Sequence, residues 1–202
     1  MNELRVGIVT GLGEEVGHYF AATFRDHSKK FCRGVLVVEH HVDAAYVIPV
    51  LSHEWKVRDI LLDAITPQLR PPHELILIPC NSVHIASPYL KQTFGDHFIP
   101  IDEAVMSLIS REGRKGRFLI LGTSTTVKSG MYQEGLRRLG CESLVLPPEV
   151  QTEFDDFIFN DLVNGKMDAS HLYALRKLEH RYMERLEADH AILACTELCY
   201  LV

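Results

Sequence analysis

The sequence predicts an α/β protein with two pseudosymmetric lobes, each a parallel sheet flanked by helices. Short, continuous runs of aliphatic and β-branched residues alternate with stretches of helical periodicity along the whole chain. Apolar strands of this kind are typical of parallel sheets covered on both faces. The rhythm restarts after residues 113–116, which predicts a first lobe over residues 1–100 and a second over residues 101–202. Because no Ser/Gly-rich linker intervenes, we expect the lobes to pack together, with the active site in the cleft between them.

Four strands and three helices are predicted in the first lobe. Each strand is a short apolar run, and each helix repeats apolar residues at helical spacing. The second helix is stopped by Pro71 and Pro72, since proline cannot continue a helix. The strands are 6–10, 35–39, 75–78 and 98–101, and the helices are 14–28, 54–69 and 87–93.

The second lobe repeats this order with three strands and three helices. Its strands are again apolar runs of four or five residues, separated by amphipathic stretches. The strands are 117–121, 142–146 and 191–194, and the helices are 128–139, 152–164 and 170–186.

Composition and charge exclude several classes of partner. The chain has 202 residues and a formal net charge of −6, with no block of Lys or Arg, which argues against nucleic acid. Its longest apolar run is far short of the roughly 20 residues that span a bilayer, and its first residues show no secretory signal. We therefore expect a cytoplasmic protein that does not enter membranes and whose five cysteines are free thiols.

Two of the cysteines share a sequence context. Segments 76–82 and 191–197 each carry an apolar strand that ends in Cys and a small polar residue, with Cys80 and Cys195 lying 115 residues apart. Ligands bind beyond the carboxyl ends of parallel strands, and a helix that starts there favours the thiolate form. Two thiols facing each other across a cleft could remove a proton from one face of a carbon and return one to the other. The alternative is a pair of ordinary buried cysteines.

A third strand end carries hydroxyl groups. Gly122 is followed by Thr123, Ser124, Thr125 and Thr126, and then by a helical pattern. Hydroxyls and free N–H groups at a helix start can hold a carboxylate or a phosphate. The alternative is an ordinary helix cap, for which Ser and Thr are favoured.

The remaining motifs do not predict a cofactor or a metal. Gly11-Leu12-Gly13 is half of a dinucleotide fingerprint, but position 16 is Val, which argues against NAD. The eleven histidines show no HExxH pattern, and the spacing of Cys195 and Cys199 is not that of a zinc site. His84 stands apart because it follows Cys80 within one helical turn and could tune the thiol electrostatically.

Three segments together resemble the aspartate racemase branch of the aspartate/glutamate racemase superfamily. Residues 79–84, PCNSVH, resemble the motif P-C-N-T-A-H of that branch, residues 121–126, LGTSTT, resemble L-G-T-x-x-T, and residues 194–198, ACTEL, resemble G-C-T-E-hydrophobic. The resemblance covers nearly the whole chain in order and spacing. Glu197 distinguishes the chain from the glutamate racemases of cell-wall synthesis, which carry His at that position.

The resemblance implies a cofactor-independent (PLP-independent) amino-acid racemase that forms a homodimer and acts on a small amino-acid or carboxylate substrate. Cys80 and Cys195 would be the opposed acid and base at the substrate Cα. Hydroxyl and amide donors aimed at the α-carboxylate would stabilise the charge that develops there. The substrate-binding residues implied are Asn81, Ser82, Thr123, Thr126 and Thr196 at the α-carboxylate, and Lys166 at the side chain.

One departure from the family concerns the substrate side chain. Many members carry an Arg in an I-P-x-R context that binds a side-chain carboxylate, whereas residues 48–51 read IPVL here. A neutral amino acid is therefore the more plausible substrate. Two other functions stay open: a superfamily isomerase of the hydantoin racemase or maleate isomerase type, and a non-catalytic protein that binds small carboxylates on this scaffold.

Overall fold

The computed structural model describes residues 4–13, 15–30, 34–66 and 75–202. The chain divides into two compact units, Met1–Ile101 and Asp102–Val202. Each unit contains a three-stranded, wholly parallel sheet with helices around it, so the predicted α/β class is confirmed. The predicted residues Glu14, Cys32, Pro71 and Pro72 and the end of the second predicted helix lie outside the described residues.

The described part of the chain alternates strands and helices in both units. The strands are β1 Leu4–Thr10, β2 Val35–His41, β3 Leu75–Leu77, β4 Arg117–Gly122, β5 Glu142–Val145 and β6 His190–Ala194. The helices are α1 Val16–Ser28, α2 Ala44–Val47, α3 Glu54–Ile65, α4 Ser87–Phe94, α5 Ile101–Arg111, α6 Ser124–Ser129, α7 Met131–Arg138, α8 Pro148–Asp156, α9 Ala169–Arg185 and α10 Thr196–Leu201. Short 3-10 turns occupy Ile48–Val50, Ser82–Ala86 and Gly95–His97, and a π-helical turn over Phe157–Leu162 continues α8.

The two sheets have the same topology. The strand order is β2-β1-β3 in the first unit and β5-β4-β6 in the second, so the first strand of each unit is central. Val6 of β1 pairs with Val37 of β2 and with Leu75 of β3. The last strand of each sheet, β3 or β6, therefore lies beside the central strand and points the same way. Cys80 follows β3 and Cys195 follows β6, which gives the two thiols equivalent places in their own sheets.

Both faces of the second sheet are buried, which explains its continuous apolar strands. Leu119 and Leu121 of β4 pack in a core with Phe154 and other residues of α8 and α9. Their neighbours Phe118 and Ile120 pack in a second core that includes residues of α5 and α7. Because successive side chains of a strand point to opposite faces, every residue from 118 to 121 enters one core or the other.

Two predicted elements are wrong. The fourth strand predicted over 98–101 is only a single bridge between Phe98 and Ile76, and Ile101 begins α5. Proline at position 100 has no N–H to donate to a ladder, and Asp102 and Glu103 favour the first turn of a helix instead. The single helix predicted over 128–139 is divided into α6 and α7 by Gly130, which adopts the left-handed conformation at φ 73°.

Within the described ranges, no helix combines the length and the apolar character needed to cross a bilayer.

Candidate active site

Cys80 lies just beyond the carboxyl end of β3. Its N–H donates to the carbonyl oxygen of Ile78 at 2.8 Å, which closes a tight turn around Pro79. The 3-10 turn over Ser82–Ala86 starts two residues later, and the cysteine is half-buried. The thiol is thus presented at the edge of the sheet where parallel α/β proteins bind ligands.

Asn81 and Ser82 continue directly from this thiol and are buried in spite of their polar side chains. The carbonyl oxygen of Asn81 accepts the N–H of His84 at 3.0 Å, which fixes the backbone of the turn. Cys80, Asn81 and Ser82 therefore belong to one short, hydrogen-bonded segment. Buried polar side chains at a strand end are typical of a binding site, and the family resemblance implies that both residues bind the substrate.

His84 holds the backbone of this segment through a neutral imidazole. Its Nδ1 lies 2.8 Å from the carbonyl oxygen of Cys80, and its ring stacks on Phe98 at 5.7 Å between centroids. Burial lowers the pKa of His84 from 6.5 to about 4, and the hydrogen bond to Cys80 opposes this effect only in part. Because an oxygen acceptor requires a donor, Nδ1 carries the proton. The ring contributes no positive charge to the thiol near neutral pH, so its influence on Cys80 is one of position.

Several buried polar atoms in this unit have no hydrogen-bond partner among the described residues. They include Nε2 of His84, which is an acceptor in the tautomer above, Oγ1 of Thr10 and Oγ of Ser87. Thr10 ends β1, the strand next to β3, and was not singled out from the sequence. Unsatisfied buried groups are rare in folded proteins and are found at sites that bind a ligand or a water.

In the second unit, the strands β4 and β6 approach each other closely at their carboxyl ends. Gly122 at the end of β4 pairs with Ala194 at the end of β6. A Cβ atom on Gly122 would lie 2.5 Å from the carbonyl oxygen of Ala194, so only glycine allows this spacing. Thr123 and Cys195 each follow one of these paired residues, so they leave adjacent strands at the same edge.

The hydroxyl residues after β4 cap α6. Thr123 is the N-cap, and its Oγ1 accepts the N–H of Thr126 at 3.3 Å. The two Oγ1 atoms lie 3.2 Å apart, and both side chains are buried. In the structure this motif is therefore a helix cap. The same hydroxyls could still bind a carboxylate, because each hydroxyl can take part in more than one hydrogen bond.

Gln151 and Asp155 of α8 support this loop from outside the predicted motifs. The Gln151 amide donates to the carbonyl oxygen of Gly122 at 2.9 Å and to Oδ1 of Asp155 at 3.0 Å. The same Oδ1 accepts the N–H of Ser124 at 2.8 Å. Sequence reasoning missed both residues. Gln151 precedes the helix predicted over 152–164, and Asp155 is one of several acidic residues within it, so no local pattern marks either.

Cys195 lies at the N-cap position of α10 and contacts a carboxylate. Its Sγ donates to Oε2 of Glu197 at 2.8 Å, and Thr196 Oγ1 donates to the same oxygen at 3.2 Å. Cys195 is 6% exposed and Glu197 is 5% exposed. The sequence singled out Glu197 as a family marker only, whereas the structure makes it the hydrogen-bond partner of the predicted catalytic thiol.

Lys166 is placed differently from the other predicted residues. It lies on the surface between the π turn and α9, where its Nζ pairs with Oδ1 of Asp161 at 3.0 Å. Its ammonium group is therefore engaged with a surface carboxylate.

The two other described cysteines lie away from the predicted site. Cys141 precedes β5, at the opposite edge of the sheet from Cys195, and Cys199 is exposed on α10.

The predicted site residues gather into two groups, one in each unit. Within the second group, Cys195 and Thr196 lie next to the threonines after β4. Across the part of the chain that the structure describes, no three His, Cys, Asp or Glu side chains cluster as a metal site would require. The two groups are Cys80, Asn81 and Ser82, and Thr123, Thr126, Cys195 and Thr196.

Comparisons with known proteins agree with the observed fold. The broad specificity amino-acid racemase of Bacillus subtilis (strain 168) is 21% identical over 202 residues, covering 96% of this chain and 85% of the relative. The solved aspartate racemase of Picrophilus torridus has a TM-score of 0.77 at 20% identity, covering 98% of this chain and 84% of the other. An aspartate racemase homologue from Pyrococcus horikoshii OT3 has a TM-score of 0.75 at 23% identity, with coverages of 98% and 88%. These two structural likenesses show a shared fold.

The family assignment rests on a match that spans most of the sequence. The pattern of the family described as Asp/Glu/Hydantoin racemase matches residues 18–202, which include both cysteine motifs and the hydroxyl loop. This match confirms the resemblance detected in the motifs. With the same fold and a match over nearly its whole length, the chain belongs to the Asp/Glu/Hydantoin racemase family.

Proposed function

We propose that this protein is a cofactor-independent amino-acid racemase in which Cys80 and Cys195 act as a two-thiol acid–base pair. The observation that carries the proposal is the equivalence of the two cysteines. Each follows the last strand of its parallel sheet, next to the central strand. Each is followed at once by polar side chains, Asn81 and Ser82 in one unit and Thr196 in the other.

The proposed reaction transfers one proton at each face of the substrate Cα. The thiolate of Cys80 takes the Cα proton, and the S–H of Cys195 gives a proton to the opposite face. No bond other than C–H and S–H forms or breaks, so the thiols simply exchange protonation states. In the reverse direction, Cys195 is the base and Cys80 is the acid. General acid–base catalysis requires groups that ionise near the working pH, which thiols provide.

The difficult step is the development of negative charge as Cα loses its proton. That charge spreads onto the α-carboxylate, where hydrogen-bond donors stabilise it. We assign this role to the polar residues at the two strand edges: Asn81, Ser82, Thr123, Thr126 and Thr196. Lys166 can bind the substrate side chain only when its ion pair with Asp161 is broken.

The proposed substrate has a neutral side chain. Residues 48–51 form a short apolar turn in which Leu51 is buried, so this segment offers no cation for a second carboxylate. The Bacillus subtilis relative is named for broad specificity, which is consistent with a site that is not restricted to dicarboxylates.

The test is proton NMR in deuterated water over a panel of L- and D-amino acids. The panel contains Asp, Glu and several neutral side chains, together with a 5-substituted hydantoin and maleate. We expect loss of the Cα proton signal and inversion for at least one neutral amino acid, in both directions. Turnover of the hydantoin or of maleate alone would replace the amino-acid assignment with another isomerase. No reaction in folded, reduced protein would favour a carboxylate-binding protein.

Variants of three cysteines test the mechanism in the same assay. Cys80→Ala and Cys195→Ala are each expected to lower racemisation by about 10³-fold, in line with the loss of a general acid or base. Cys141→Ser is the matched control, since this thiol lies at the opposite edge of the second sheet. Substantial racemisation in either alanine variant would contradict the two-thiol mechanism.

A further inference from the structure

The thiol of Cys195 and the carboxylate of Glu197 form a buried pair that the two-thiol reaction does not itself require. Sγ and Oε2 lie 2.8 Å apart, and both residues are more than nine-tenths buried. Thr196 Oγ1 donates to the same oxygen at 3.2 Å. Two donors therefore converge on one carboxylate oxygen.

A carboxylate in this position opposes ionisation of the thiol. If Cys195 lost its proton, two negative charges would face each other in a poorly solvated environment, where their repulsion is much stronger than in water. The hydrogen bond from Sγ would be lost at the same time. Both effects favour the protonated thiol over the thiolate, and they act against the N-terminus of the short helix α10, which favours the thiolate.

Two titratable groups near this pair, Cys199 and Tyr132, carry no positive charge that would offset the carboxylate. Although Cys199 on the same helix is exposed at the surface, desolvation of its thiol raises its pKa, and the negative charge of Glu197 raises it further. Tyr132 of α7 has its pKa raised by burial and, to a smaller extent, by Asp102 and by the two cysteines, so it stays neutral. The elements packed against α10 contribute apolar side chains to the core around Cys195, among them Leu162, Tyr182 and Leu193.

We propose that Glu197 is a positioning residue that keeps Cys195 protonated between turnovers. This inference rests on the proposed two-thiol function. In the resting protein, Cys195 is then the proton donor and Cys80 is the base, so the free protein is ready for one enantiomer of its substrate. After turnover, Cys80 releases its proton to water and Cys195 regains one, which restores the resting state.

The experiment measures the ionisation of Cys195 directly. The ultraviolet absorbance of thiolates is titrated with pH in the full chain, and the same titration of Cys195→Ser is subtracted. The wild-type midpoint is expected above the ordinary thiol value of about 8.5. Glu197→Gln keeps the size of the side chain and an accepting oxygen but removes the charge. It is expected to lower the midpoint by about one pH unit, which is about a tenfold larger thiolate fraction at neutral pH.

Two comparisons separate this electrostatic role from a structural one. Glu153→Gln removes one exposed carboxylate from α8 of the same unit and is expected to leave the Cys195 midpoint unchanged. The midpoint of Cys80, obtained by subtraction of Cys80→Ser, is expected to be the same with and without Glu197→Gln. An equal shift at both thiols would mean general loosening of the protein and would overturn the proposal.

The remaining outcomes also decide the question. An unshifted Cys195 midpoint in folded Glu197→Gln would overturn the role of Glu197. Should that variant not fold, a wild-type midpoint at or below about 8.5 would do the same. The titration needs no turnover, so a shifted midpoint in a protein that racemises nothing would contradict the proposed function but not the effect of Glu197 on the thiol.

Discussion

His84 positions the backbone of Cys80 with an imidazole that burial keeps uncharged. Its pKa is lowered to about 4 in the folded protein and is 6.5 for an ordinary histidine. The unfolded chain therefore takes up this proton first as the pH falls. The stability that depends on a neutral His84 is fully present above about pH 6.5 and is lost progressively as the pH falls towards 4.

This difference predicts a measurable pH dependence of stability. Between pH 7 and pH 5, His84 is expected to reduce the free energy of unfolding by about 2 kcal/mol. His84→Asn keeps a donor near the carbonyl oxygen of Cys80 but cannot titrate. Urea unfolding at the two pH values, in the wild type and in the variant, isolates the contribution of His84 from that of the other histidines. An identical loss in both proteins would show that His84 does not titrate as the buried geometry requires.

At the scale of the elements, the close contact of β4 and β6 sets the distance between the carboxyl ends of these two strands. Gly122 is the residue that allows it, because its missing Cβ leaves room for the carbonyl group of Ala194. The obstacle to a larger side chain is backbone, which cannot rotate away as a flexible side chain can. The positions of Thr123 and Cys195 therefore depend on this one glycine.

Gly122→Ala is expected to destabilise the protein by about 3 kcal/mol, since it forces the two strands apart. Gly130→Ala is the control, because a Cβ there meets nothing within 4 Å and only the left-handed backbone is strained. It is expected to cost about 1 kcal/mol. Urea unfolding measures both values, and an equal cost for the two variants would contradict the close-contact argument. The Cys195 titration in Gly122→Ala would then report any displacement of the thiol.

At the scale of the whole molecule, the proposed reaction needs a thiol from each unit. Each thiol serves one face of the substrate carbon, so removal of either leaves a protein that can still exchange the Cα proton of one enantiomer. Cys80→Ala and Cys195→Ala are therefore expected to exchange opposite enantiomers in deuterated water, without inversion. Proton NMR of separate L and D samples measures this. Exchange of the same enantiomer by both variants would contradict the opposed arrangement.

The family resemblance also implies a homodimer, which stays a prediction. Light scattering of the purified protein over a range of concentrations would measure its mass directly. A monomer at all concentrations would contradict the predicted homodimer and would leave the proposed two-thiol mechanism unaffected.

The α/β class and most of the order of strands and helices follow from the amino-acid sequence alone. Buried parallel strands must be continuously apolar, and that pattern is local and easily read. The sequence also indicated Cys80 and Cys195, because each thiol stands at the end of an apolar run and is followed by a polar residue. The predicted strand over 98–101 was wrong, because a short apolar run that leads into a helix has the same pattern as a strand. The helix predicted over 128–139 merged α6 and α7, because the glycine between them interrupts the helical pattern at only one residue.

The groups that contact the predicted site residues and the loop after β4 are apparent only from the folded structure. The neutral state of His84 follows from complete burial, which no local pattern encodes. Gln151 and Asp155 reach the loop after β4 from about thirty residues away in the sequence, through a helix that packs on the sheet. The contact between Glu197 and Cys195 depends on the turn that starts α10 and on the exclusion of water around it. Local patterns predict elements, whereas burial and contacts between distant segments determine the chemistry of the side chains they carry.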